Sequence, residues 1–112
     1  MNLIEKAKDI LDNNWNGMYT IPSKTLYPHQ WSWDSALISI GNSYYNTDRA
    51  IKELEHLFRA QWSNGMVPSI VFSNNQGYFP SAEFYDSKRA KEAPNIPTST
   101  ITNPPVHALA FL

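Results

Sequence analysis

Apolar residues recur at helical spacing in three stretches of this 112-residue chain, and the recurrence stops at Trp62. Leu3, Ile4, Ala7, Ile10 and Leu11 fall at i, i+1, i+4, i+7 and i+8, with Glu5, Lys8, Asp9 and Asp12 opposite them. A face that repeats every 3.6 residues predicts a helix. Asn13-Asn14 and Asn16-Gly17 end it, and residues 17–30, with Gly17, Pro22 and Pro28, read as a loop. A second helix is expected from Trp33 to Tyr45, with Asp34 or Ser32 as its cap and Ala36, Leu37, Ile40 and Gly41 as a tight apolar side. A third runs from Asp48 to Trp62, capped by Thr47 or Asp48. It turns Ala50, Ile51, Leu54, Leu57, Phe58 and Trp62 inward and leaves Glu53, Glu55 and Arg59 on a solvated face. The turn Asn46-Thr47-Asp48 is short, and short connections make antiparallel neighbours. The expected fold class is all-α.

Residues 63–103 lack this period. Gly65 suits a left-handed position after the third helix, Pro68 to Phe72 looks extended, and Asn74-Asn75-Gln76-Gly77 reads as a turn. A connection this long is either functional or disordered. Phe72, Tyr78, Phe79, Phe84 and Tyr85 argue against disorder, because disordered segments are poor in aromatics. Pro104 and Pro105 suit the first turn of a fourth helix. Val106 to Leu112 is mostly apolar and stops abruptly, unlike a frayed terminus. The expectation is a single domain, residues 1–112 being its amino-terminal part, truncated after Leu112; the alternative is a short terminal helix docked on its own core.

Composition removes several classes of function. The net charge is -1 with the cations scattered, which leaves no electrostatic footprint for nucleic acid or an anionic membrane. There are no cysteines, hence no disulfide and no thiolate metal site. His29, His56 and His107 lack metal-ligand spacing and read as surface or internally bonded histidines. No apolar run reaches the roughly 18 residues of a membrane helix, and the start reads as an amphipathic helix and not as a signal peptide. A soluble cytoplasmic protein without a cofactor is expected; the oligomeric state is not legible.

The densest chemistry lies in Tyr27-Pro28-His29-Gln30-Trp31-Ser32-Trp33-Asp34-Ser35. Sugars present apolar C–H faces and polar rims. Aromatic rings stack on the first, and a carboxylate accepts charge-assisted hydrogen bonds from the second. Tyr27, Trp31, Trp33 and Asp34 supply those groups. The competing reading makes the tryptophans core and Asp34 a helix cap.

Gln30-Trp31-Ser32-Trp33-Asp34-Ser35, followed by Ile40-Gly41, resembles the motif that opens the catalytic domain of family 63 glycoside hydrolases and their trehalase-like relatives. Three later stretches keep the order: Ala50-Ile51-Lys52-Glu53-Leu54 with Leu57-Phe58-Arg59-Ala60-Gln61, Gly65-Met66-Val67-Pro68, and Thr102-Asn103-Pro104-Pro105-Val106-His107-Ala108. Bacterial members acting on α-mannosyl- or α-glucosyl-glycerate look nearest. The resemblance implies part of an (α/α)6 toroid, three to four helices plus a long aromatic loop, and an inverting α-glycosidase for a small α-glucoside, α-mannoside or short oligosaccharide. It implies that Trp31, Trp33 and Asp34 hold the sugar being cleaved, with Asp34 binding hydroxyls and not donating the proton, and that Tyr27 and Gln30 line the same site. Asn103 stands where the family pattern has Gln, which puts the aglycone contact in doubt. The catalytic acid and base fall beyond the matched stretch, so no residue here takes either role, Glu83 and Asp86 of the aromatic loop included, and the chain alone is expected to be inactive. The alternative from another class is a small helical interaction module without activity.

Overall fold

The computed structural model describes residues 2–74 and 77–112. Helix α1 spans Leu3–Asn14, strand β1 Gln30–Trp31, helix α2 Ser32–Asn42, helix α3 Thr47–Phe58, strand β2 Ile70–Val71, the one-turn helix α4 Ala82–Tyr85 and the short helix α5 His107–Ala110; a 3-10 turn covers Ser87–Arg89. Most of the regular structure is helical, with α2 and α3 packed as a pair.

Helix α1 forms as its period predicts. Asn2 caps it by accepting from Glu5 N–H while the Glu5 side chain accepts from Asn2 N–H, a reciprocal cap that satisfies two free amides. Its apolar face is not covered by the described residues: Leu3, Ile4 and Ile10 are exposed. Its carboxy-terminal half leans on the helix pair through an Arg49–Asp12 ion pair and Arg49 over the Trp15 ring.

Helix α2 departs from expectation in which side it buries. Ser32, Ser35, Ala36, Ser39 and Asn42 face inward, while Leu37 is nearly half exposed. Small side chains let α3 approach closely, and Ser39 Oγ donates to the Ala50 carbonyl across the contact. Neither Asp34 nor Ser32 caps α2. The N-cap position is Trp31, which offers no side-chain acceptor, so the first-turn amides are met from distant segments: Ser32 N–H donates to the Ser69 carbonyl, and Trp33 N–H to Asn103 Oδ1. On α3 the cap is Asn46, accepting from Arg49 N–H, in place of Thr47 or Asp48, and the helix ends at Phe58, short of Trp62.

Residues 63–103 are organised by an antiparallel ladder that an all-helical reading does not include. Gln30 pairs with Val71 and Trp31 with Ile70, and Val71 also bridges Thr98. Pro68 to Phe72 is extended as its composition indicates. Gly65 and Gly77 both have positive φ, whereas Asn75 and Gln76 of the expected turn lie outside the described residues. The core joins the two systems: Leu57 and Ala60 from the end of α3 meet Val71 of β2, flanked by Phe58, Val67 and Ile96. Pro104 and Pro105 precede α5 and do not form its first turn, since Val106 is the N-cap. No described helix is long and apolar enough to cross a membrane.

Candidate functional site

Strand β1 runs directly into α2, so Trp31, Trp33 and Asp34 sit where a strand end meets the first turn of a helix. Trp33 is 40% exposed and Tyr27 48%. Large rings left in solvent beside a carboxylate are not core residues, and their exposure is the kind that marks a binding surface. Tyr27 packs edge-on against Trp31 at 5.4 Å, and Tyr78 does so at 5.2 Å. His29 stands behind them, 4.8 Å from Phe72 and 5.6 Å from Tyr78 between ring centres. Burial depresses the His29 pKa, and Ser73 N–H donates to its Nδ1, so a neutral imidazole backs the wall.

Asp34 is half-buried in the first turn of α2. Burial raises its carboxyl above the ordinary value, and the hydrogen bond from its own backbone amide pulls the other way. The helix start therefore does not hold Asp34 below the ordinary carboxylate range, because desolvation outweighs the amide.

Gln30 differs from its neighbours. It is fully buried, and its side-chain amide bonds inward: Nε2 donates to Ser35 Oγ at 2.9 Å and to the Glu53 carbonyl at 3.1 Å, while Oε1 lies 2.6 Å from His56 Nδ1. It supports the wall from behind and does not line it. Asn103 accepts from Trp33 N–H at 3.2 Å and so serves as a substitute cap for α2. His107 braces the same turn, with Nε2 2.7 Å from Ser32 Oγ. All three histidines thus make hydrogen bonds inside the fold, and the described residues contain no group of His, Asp and Glu that could hold a metal. Glu83 and Asp86 border a cavity of about 370 Å³, and Glu83 also borders one of about 600 Å³ that His29, Phe72 and Tyr78 line.

Two residues beside the candidate site are not singled out by the sequence pattern. Tyr78 had no motif to attach it to Trp31; only its aromatic-rich surroundings hinted at it. Glu53 was placed on the solvated face of α3 and is fully buried. The signal was present in the spacing, since Ala50, Glu53, Leu54 and Leu57 form the buried stripe of the helix. Burial pushes the Glu53 carboxyl up to about 7, against the opposing hydrogen bonds from Ser35, Thr20 and Gln30. An acid whose pKa is raised by folding binds its proton more tightly when folded, so its contribution to stability is complete below about 4.5 and is lost as pH rises through about 7. The whole effect is roughly 3 kcal/mol. The urea midpoint is expected to fall between about pH 5 and about pH 8 in the wild-type protein and to change less in Glu53→Gln; equal pH dependence in the two proteins contradicts this assignment.

Residues 27–112 match the model of the mannosylglycerate hydrolase MGH1-like glycoside hydrolase domain, from the first ring of the wall onward. The chain belongs to this glycoside hydrolase family. Among members of the family, it is 54% identical over 113 residues to the mannosylglycerate hydrolase of Rubrobacter radiotolerans, covering 99% of this chain and 26% of that protein. It is 47% identical over 111 residues to the glucosylglycerate hydrolase of Mycolicibacterium hassiacum, covering 96% and 25%. The crystal structure of the family 63 mannosylglycerate hydrolase from Thermus thermophilus with Tris and D-glycerate superimposes with a TM-score of 0.83 at 40% identity, covering 97% of this chain and 25% of that one. The chain spans about a quarter of the length of the relatives it matches.

Proposed function

We propose that this chain forms one wall of the sugar pocket of an inverting α-glycosidase acting on a small α-mannoside or α-glucoside joined to glycerate. The observation that carries the reading is the exposure of Tyr27 and Trp33 beside half-buried Trp31 and Asp34 at the start of the matched domain, with Asp34 outside the N-cap position of α2. The two rings of Trp31 and Trp33 stack on the sugar, Tyr27 extends the wall, and Asp34 accepts from its hydroxyls. Gln30 acts on the sugar only through the segment it anchors, and Asn103 stands at the aglycone end, its oxygen shared with Trp33 N–H. Support for a place in an (α/α)6 toroid comes from the superposition on the Thermus thermophilus enzyme. The general acid and base are assigned to no residue of this chain, the reaction asks for no cofactor, and the protein is taken to be cytoplasmic.

The test is direct. The purified full-length protein is incubated with α-mannosylglycerate and with α-glucosylglycerate, and release of free sugar and glycerate is followed alongside tryptophan fluorescence. Turnover of at least one compound is expected, with β-configured sugar released first, as inversion requires. Neither turnover nor a fluorescence change with either compound defeats the proposal.

A further inference from the structure

We propose that Glu53 is the positioning residue of the sugar wall, fixing through Gln30 and Ser35 the four-residue segment that carries Trp31, Trp33 and Asp34. The inference rests on the reading of that wall as a sugar site. The two Glu53 oxygens serve different segments. Oε2 accepts from Thr20 N–H at 2.8 Å and from Thr20 Oγ1 at 2.7 Å. Oε1 accepts from Ser35 Oγ at 2.6 Å and lies 3.5 Å from Gln30 Nε2. The same Gln30 nitrogen donates to the Glu53 backbone carbonyl, and its oxygen meets His56 one turn further along α3. His56 in turn stacks on Tyr19 at 4.4 Å, so α3 grips both the Tyr19-Thr20 turn and β1.

The placement of the anchors gives the arrangement its meaning. Gln30 is the residue before Trp31, and Ser35 the residue after Asp34. The wall segment is therefore clamped at both ends on one carboxyl group, while Trp33 stays exposed and Trp31 and Asp34 stay half-buried. A helix start alone does not provide this rigidity, because Trp31 contributes no cap of its own. Sites held within a fraction of an ångström are those whose supporting side chains are themselves locked.

Each Glu53 oxygen faces a close donor, Thr20 N–H on one side and Ser35 Oγ–H on the other. A neutral acid is accommodated, since its single proton can point at a hydroxyl oxygen. An amide fits worse: on one side its nitrogen meets the Thr20 N–H, and on the other it takes away the acceptor of the Ser35 hydroxyl. Asp is one methylene too short to reach both sides. Glu53→Gln and Glu53→Asp are therefore expected to release the wall although both are close in shape and polarity.

The full-length protein is labelled with fluorotryptophan, and the resonances of its four tryptophans are assigned by single Trp→Phe substitutions. In Glu53→Gln the Trp31 and Trp33 fluorine signals are expected to shift or broaden while Trp62, held at a distance by Thr98, stays in place. Affinity for mannosylglycerate or glucosylglycerate, read by fluorescence titration, is expected to fall about tenfold or more, the scale of disturbing a hydrogen-bonded charged group. Ser35→Ala, which removes one donor and keeps the carboxyl, serves if Glu53→Gln fails to fold; the same two signals are expected to move, with a smaller loss of affinity. Trp31 and Trp33 signals that hold still in a folded variant overturn the assignment, as does movement of all four together, the mark of a general packing defect. A wild-type protein that binds neither sugar overturns the sugar reading instead, so the two failures are told apart.

Discussion

Asp34→Asn in the full-length protein is expected to lower kcat/KM by roughly thirty- to eight-hundred-fold, or 2–4 kcal/mol of transition-state stabilisation, the size seen when one preorganised electrostatic group is removed. Asn keeps the shape but turns one acceptor into a donor and removes the negative charge. The sugar loses part of its hold, and the positive charge that grows on the ring during cleavage loses a nearby anion. Half burial sharpens the effect, because a charge removed from a partly desolvated place matters more than one removed from open water. The fold is expected to survive. Asp34 is not the N-cap of α2, and burial already disfavours its charged form, so losing the charge is expected to cost the fold less than about 1 kcal/mol. The measurement is kcat/KM with circular dichroism on the same samples. Loss of helical signal shows that Asp34 is structural, and activity near wild type shows that it does not touch the sugar.

The largest effect on stability is expected at Leu57, which is fully buried between Ala60 and Val71. Leu57→Ala removes buried methyl groups and leaves a cavity lined by Phe58, Val67 and Ile96, at a cost of about 3 kcal/mol within the usual 2–5. The consequence reaches the site, because Val71 is the ladder partner of Gln30, and a loosened β2 slackens the strand that leads to Trp31. Ile51→Ala on the same helix is expected to cost under about 1 kcal/mol, since Ile51 is half exposed. Urea midpoints for the two variants decide the matter. Similar losses at Leu57 and Ile51 show that the core of α3 lies on a different face.

Local pattern predicted α1 closely, and α2 and α3 to within their ends. The cap errors differ in origin: at α3 the cap is the neighbouring Asn46, one residue earlier than expected, whereas at α2 the side chain that reaches a free amide, Asn103, comes from 70 residues away. The buried face of α2 was misjudged for a related reason. Hydrophobicity points to Leu37 and Ile40, but close approach of α3 selects the small side of the helix, Ser32, Ser35, Ala36 and Ser39. As candidates for a site, Tyr27, Trp31, Trp33 and Asp34 were legible because they stand together in nine consecutive residues and resemble a known motif. The role of Gln30 was not, because nothing in that stretch says that its amide turns inward.

What the amino-acid sequence determined by itself is therefore the local and the contiguous: three amphipathic helices, an extended segment at Pro68 to Phe72, and the run of aromatic and acidic groups that identifies the family. Tertiary structure decided which groups leave water and with whom. The spacing of Glu53 puts it on the buried stripe of α3, but its partners Thr20, Gln30 and Ser35 are separated from it by 33, 23 and 18 residues. Burial of a carboxyl group is tolerable only where donors from other segments meet both of its oxygens, and such a meeting is a property of the packed chain that no local spacing encodes.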